Sequence, residues 1–123
     1  DIFLVRVDYS GQVCLAGSAA MLWRPNAAYS GILLIREIGG ENRKTEVNWP
    51  AGARQLAWPQ ELQPQEAMSY LLRFRDSTRR ATRVNVAFVD RAAPTTAHQI
   101  AILAEKKCLQ QAGQLLKELV GEQ

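Results

Sequence analysis

Five arginines within eleven residues, Arg73, Arg75, Arg79, Arg80 and Arg83, are the densest concentration of one chemistry in the chain. A guanidinium grips a phosphate or carboxylate through two parallel N–H bonds, so the cluster suits an anion or an acidic protein surface. Arg73 and Arg75 alternate with Leu72 and Phe74, which puts both on one face of a strand. Arg79 and Arg80 fall in a connecting loop with Asp76, Ser77 and Thr78. The same residues also read as a solvated hairpin tip whose charge keeps an edge strand from aggregating. Nucleic acid is a third reading, but base stacking wants aromatic rings among the cations and the loop holds none.

Trp23, Trp49 and Trp58 stand beside Pro25, Pro50 and Pro59. Flat rings at strand ends can form a platform for a sugar, a peptide or a proline-rich ligand. Alternatively, the rings plug the ends of a sandwich and each proline stops an edge strand. Cys14 and Cys108 can close a loop of about 95 residues, a disulfide worth roughly 4 kcal/mol in the chain-entropy treatment, or lie buried as free thiols. With His98 as the sole histidine they fall short of a zinc site.

Catalysis finds no constellation. His98 stands near a helix start with no nucleophile and acid to complete a triad. Ser10, Ser18, Ser30, Ser69 and Ser77 read as loop or ordinary strand positions, and Glu37, Glu41, Glu46, Glu61 and Glu66 are scattered rather than paired. Gly39-Gly40 fits a hairpin turn better than a phosphate loop. The chain is therefore expected not to be an enzyme, with no cofactor and no metal.

Charge is local. Residues 1–69 sum to −1, residues 70–91 to +4 and residues 92–123 to zero, so the net +3 comes from the arginine-rich stretch. That is a patch, not a basic surface spread over a domain. At 123 residues the chain has room for one ordinary domain with a real core. No apolar run approaches the roughly 20 residues of a membrane-spanning helix, and 47% apolar content excludes a disordered chain. Asp1 stands where a start methionine or signal peptide is absent, which reads as a mature product or an excised domain.

The elements that hold these groups are mostly short strands. Segments 3–8, 12–15, 21–23, 32–38, 45–48, 54–58, 70–75 and 84–89 carry period-2 or apolar patterns between turns such as Tyr9-Ser10-Gly11 and Gly39-Gly40-Glu41-Asn42. Seven or eight strands with no helix between them predict an antiparallel sandwich or barrel, with segment 12–15 returning as a hairpin partner of the first. After Pro94 the period changes. Thr95 or Thr96 caps a helix to about Lys107, with Ala97, Ile100, Ala101, Ala104 and Cys108 as its stripe. A second helix over about 109–120 carries Leu109, Ala112, Leu116 and Leu119, widened by Leu115 and Val120, and the two are expected to form an αα-hairpin. Such a pair must dock on something. Leu4, Leu33, Ile35 and Leu71 are expected on the sheet face opposite the core, either under these helices or as an open partner-binding patch.

Leu62, Pro64 and Tyr70, followed by alternating Leu72 and Phe74, resemble the segment leading into the penultimate strand of fibronectin type III and other immunoglobulin-like sandwiches. Here about two more residues separate Pro64 from Tyr70. The resemblance implies a tyrosine hydroxyl bonded back to the backbone upstream. The segments Leu22-Trp23-Arg24-Pro25, Asn48-Trp49-Pro50-Ala51-Gly52 and Leu56-Ala57-Trp58-Pro59 look like accessory β-sandwich domains of bacterial cell-envelope proteins, over residues 12–90. That implies a fold and a periplasmic or other extracytoplasmic setting, but no catalytic residue.

The expectation is a mainly β, immunoglobulin-like antiparallel sandwich over residues 1–91, finished within the same domain by a helical extension over 92–123. Its function is expected to be a non-catalytic interaction or accessory module, partnering another protein or a neighbouring domain through Arg73, Arg75, Arg79, Arg80 and Arg83. The alternatives are a small ligand-binding or sensory domain using Trp23, Trp49 and Trp58, and, furthest off, a nucleic-acid binder.

Overall fold

The computed structural model describes residues 2–17, 19–90 and 93–121. Among them run β1 (Leu4–Arg6), β2 (Gly11–Leu15), β3 (Met21–Trp23), β4 (Gly31–Ile38), β5 (Lys44–Trp49), β6 (Gln55–Ala57), β7 (Ser69–Phe74) and β8 (Thr82–Phe88). A 3-10 turn at Gln60–Leu62 precedes β7, and α1 (Thr96–Glu105) and α2 (Leu109–Gly121) follow β8. Most strands coincide with a segment whose side chains alternate, which is the mark of one face turned to a core, and β2 is the exception.

The strands form a three-stranded sheet in the order β1-β3-β6 and a five-stranded sheet in the order β2-β8-β7-β4-β5. The expectation of purely antiparallel pairing fails at two places, since β1 runs parallel to β3 and β2 runs parallel to β8. Residues 7–10 do not make a hairpin but carry the chain from one sheet to the other. This is why β2 lies beside the last strand and not beside β1. The burial of β2 agrees, with Val13, Cys14 and Leu15 covered in succession because both faces of the strand are occupied.

One core joins the sheets. Val5 and Leu22 of the smaller sheet meet Val13, Leu15, Leu33, Ile35, Leu72, Val84 and Val86 of the larger, with Trp49, Trp58 and Tyr70 among them. Leu33 and Ile35 therefore face inward, which corrects the expectation that they lie on the outer face. Leu71 does face outward, half-buried, while Leu4 belongs to the smaller sheet.

The αα-hairpin forms, and its geometry explains why two helices form instead of one. Thr95 caps α1, its hydroxyl accepting from the His98 N–H at 3.0 Å. Lys107 takes a left-handed φ of 67°, the Lys107 N–H donates to the Ala104 carbonyl and the Cys108 N–H to the Leu103 carbonyl. Those two bonds are a Schellman closure. The pair docks on the outer face of the larger sheet, where Leu103, Cys108, Ala112 and Leu115 pack with Cys14, Ala87, Ile2 and Phe3. The buried stripes differ from those expected. Ala97, Ala101 and Ala104 are exposed on α1, as are Leu109, Leu116 and Val120 on α2. The bond from Cys108 and the burial of Gln111 turn α2 to a face that a count of apolar residues does not select.

Candidate interaction surface

The larger sheet's outer face is divided. Over β2 and β8 it is covered by the helices; over β7, β4 and β5 it is open. Alternation places Arg73 of β7 and Arg83 of β8 on this face, with Arg75 just past the end of β7, all three exposed and Arg73 and Arg83 opposite in direction to buried Tyr70, Leu72 and Val84. Strand register adds two cations that sequence reasoning missed. Arg36 of β4 pairs directly with Lys44 of β5, and on the other side Arg36 faces Leu71, which in turn faces Arg83. One row across four strands thus reads Lys44, Arg36, Leu71, Arg83. The neighbouring row reads Glu46, Leu34, Arg73. A signal for Arg36 and Lys44 was present: a tight turn at Gly39-Gly40 puts residues on either side of it in register.

Leu34 and Leu71 lie half-buried at the centre of this patch, and with Arg36, Lys44, Glu46 and Arg73 they line a groove of about 670 Å³. Arg75 is ion-paired with Glu46 across the sheet. Among the described residues Arg36, Lys44, Arg73 and Arg83 have no ion-pair partner. Side chains directly opposite one another on an antiparallel pair lie about 5 Å apart at Cβ, where like charges repel. The arrangement is thus a groove floored by Leu34 and Leu71 and walled by Arg36, Lys44 and Arg73, with Arg83 next to Leu71 beyond it and Glu46, paired with Arg75, as its acidic wall residue.

Arg79 and Arg80 are placed elsewhere. They belong to the loop between β7 and β8, where the Arg79 N–H donates to the Ser77 hydroxyl at 3.0 Å. Both line a second cavity at that end of the two sheets, together with Arg73 and Arg75. The five arginines are therefore shared between two neighbouring surfaces.

The tryptophans do not form a common platform. Trp49 and Trp58 are buried, the Trp49 indole N–H donating to the Ala53 carbonyl at 2.6 Å and that of Trp58 to the Leu62 carbonyl. The Trp58 ring meets Tyr70 edge-on, 5.2 Å between centroids. Trp23 is half-buried, and the Arg6 guanidinium lies 4.5 Å over its ring while chelating Asp8. These rings finish the core, and two of the three have no face left for a ligand.

Tyr70 also makes the backbone bond that the resemblance implies. Its hydroxyl accepts from the Gln65 N–H at 2.9 Å and donates to the Gln63 carbonyl at 3.5 Å. Burial raises the pKa of this phenol above its ordinary value, and the bond from the Gln65 N–H opposes the rise. Nearby, the buried carboxylate of Glu37 is held by Arg43 through Nε at 3.0 Å and Nη2 at 2.8 Å, a bond that raises the Arg43 pKa.

Cys14 and Cys108 are joined by a disulfide, with 5.9 Å between their Cα atoms. Beside it the buried Gln111 amide completes the edge of β2. Its Oε1 accepts from the Cys14 N–H at 2.8 Å, and its Nε2 donates to the carbonyls of Cys14 at 2.8 Å and Ile2 at 2.9 Å. Among the described residues no cluster of His, Cys, Asp or Glu is placed to hold a metal ion, and no helix is long and apolar enough to cross a membrane. In comparison with known proteins, no family model, curated protein or solved structure matches the chain.

Proposed function

We propose that this chain is a non-catalytic interaction or accessory module that docks an acidic, partly apolar protein segment on the open half of its larger sheet. The observation that carries the reading is the row Lys44, Arg36, Leu71, Arg83, which holds three cations and no carboxylate, beside a groove whose acidic wall residue, Glu46, is taken up by Arg75. A sheet face shaped only by stability would alternate charges. An acidic partner would supply the missing sign and cover Leu34 and Leu71. A protein segment fits better than nucleic acid, because the two rows contain no aromatic side chain on which bases could stack.

The fold we read as an immunoglobulin-like sandwich. The order β8-β7-β4-β5 follows the sheet of such domains that holds their last, penultimate and central strands, β3 and β6 pair in the other sheet, and Tyr70 bonds back upstream. The parallel pairing of β1 with β3 is its departure from that plan. We place the module outside the bacterial cytoplasm, where a bond such as Cys14–Cys108 persists.

The test is fluorescence anisotropy with labelled peptides alternating glutamate and leucine, against lysine–leucine peptides as control. Wild type is expected to bind the acidic peptides alone, more weakly as salt rises. An Arg36→Glu/Arg83→Glu variant is expected to lose at least about tenfold in affinity. Equal binding by that variant removes the reading.

A further inference from the structure

A buried arginine at one end of the sheets has no anion. Arg24, which follows β3, is only 5% exposed. Its Nε donates to the Ala53 carbonyl at 3.1 Å and its Nη2 to the Pro50 carbonyl at 3.0 Å. The guanidinium lies 4.8 Å from the Trp49 ring centre and 5.9 Å from that of Phe74. No described carboxylate lies within ion-pair distance, and burial lowers its pKa. Nη1 has no acceptor among the described residues. Among the described residues no fully enclosed side-chain nitrogen lacks a partner, so Nη1 keeps some access to solvent.

Arg24 lines a cavity of about 590 Å³ formed with the loops after β1, β3 and β7. Arg79 and Arg80 line it too, exposed and without ion pairs among the described residues, and Tyr29, Ser30 and Ser77 add hydroxyl groups. Of the two acidic residues in the wall, Asp8 is already chelated by Arg6, which leaves Asp76 against the cations. The rings and carbonyls around Arg24 fix the guanidinium plane, and a planar donor held in place loses little entropy when it takes up an oxyanion.

We propose that this cavity binds a small phosphate-type dianion, free or as a phosphomonoester, with Arg24 Nη1 as the buried anchor and Arg79 and Arg80 closing on it from the rim. An uncompensated guanidinium in a low-dielectric wall is costly until an anion reaches it. The volume exceeds that of a phosphate group alone, and Tyr29 offers a ring against which an organic remainder can lie. This site adjoins the docking groove, with Arg73 in both walls, but Arg24, Arg79 and Arg80 line this cavity alone, so it does not depend on the groove.

The experiment is titration of the whole chain with inorganic phosphate, phenyl phosphate and phenol, followed by calorimetry and by backbone amide shifts. Saturable binding of the two phosphates and not of phenol is expected, with shifts centred on residues 24–31 and 72–82. Tighter binding of phenyl phosphate identifies a monoester as the ligand class, and equal binding identifies the free ion. Arg24→Met keeps the length of the side chain and is expected to weaken binding at least about tenfold. Arg79→Gln/Arg80→Gln changes only exposed residues, so it reports even if Arg24→Met fails to fold, and is expected to weaken binding by roughly three- to tenfold. Both variants should bind the acidic peptides as wild type does, whereas Arg36→Glu/Arg83→Glu should bind phosphate unchanged. The proposal is overturned by the absence of saturable phosphate binding, by shifts centred on residues 34–36 and 44–46, or by wild-type affinity in a folded Arg24→Met or in Arg79→Gln/Arg80→Gln.

Discussion

The two halves of the larger sheet's outer face are built by opposite rules. Over β2 and β8 the strand is covered and its edge capped: the Cys14 N–H and carbonyl go to Gln111, its sulfur to Cys108, and Ala87 lies under the helix pair. Over β4, β5 and β7 the face keeps apolar side chains half-exposed and sets Arg36 against Lys44. A natural sheet normally blunts an edge and covers or alternates an exposed face. The first half follows that logic and the second violates it. A violation that costs stability, placed beside a groove, points to a surface kept for a partner.

Breaking the covered half should have the largest effect. Cys14→Ala/Cys108→Ala removes a cross-link spanning 94 residues, and by unfolded-chain entropy the expected loss is about 4–5 kcal/mol, read from urea unfolding. Hydrogen exchange should show amides of α1 and α2 opening first while those of β4 and β7 stay protected. A loss below about 1 kcal/mol would mean that the helices are held by packing alone.

Gln111→Leu comes next. It keeps the bulk but strands the Cys14 N–H and the carbonyls of Cys14 and Ile2 in a buried position. Burying such groups without partners is expected to cost about 2–4 kcal/mol. Gln114→Leu, on the exposed side of the same helix, should stay within about 0.5 kcal/mol in the same assay.

This glutamine also marks what could and could not be read from the residues. Strand positions and a helix cap at Thr95 or Thr96 were legible because alternation and capping side chains act within a few positions of one another, whereas the break between the helices has no glycine or proline to mark it, only the left-handed Lys107. The side of the sheet on which β2 ended was not, because residues 7–10 can either reverse the chain within a sheet or pass it to the other. Parallel pairing of β2 with β8 brings together residues more than 70 positions apart, and nothing local to either strand specifies it. The face of α2 was misjudged for a related reason. A polar residue is buried there to satisfy a strand edge, so Leu109 and Leu116 lie outside while Gln111 lies inside. Of the candidate surface, the alternation of Arg73 and Arg75 was legible. The row that joins Arg83 to Arg36 and Lys44 needed the register, and Arg24 looked like an ordinary residue before a proline.

The core between the sheets offers a probe that touches neither half of the outer face. Tyr70→Phe removes the hydroxyl shared between Gln65 and Gln63 and is expected to cost about 1–2 kcal/mol. Burial raises the folded-state pKa of this phenol, so its neutral form is favoured in the native protein. The associated stability is fully present below the unfolded value of about 10 and is lost as pH rises through the folded pKa. Wild-type stability should therefore fall in alkaline solution more steeply than that of Tyr70→Phe. Parallel curves for the two proteins would show that the hydroxyl ionises as freely in the folded chain as in the unfolded one.

The smallest effect sharpens the comparison most, because its sign is unusual. Lys44→Glu puts a carboxylate opposite Arg36 and replaces a repulsive cross-strand pair by an attractive one. The variant is expected to be more stable than wild type by about 0.2–1 kcal/mol at low salt, with the gain shrinking as ionic strength rises. The same substitution should weaken binding of the acidic peptides. A residue whose replacement improves the fold and impairs binding is kept for what it binds. If Lys44→Glu instead destabilised the chain, the cations of the open half would be serving the sheet itself, and the contrast between the two halves would lose its functional meaning.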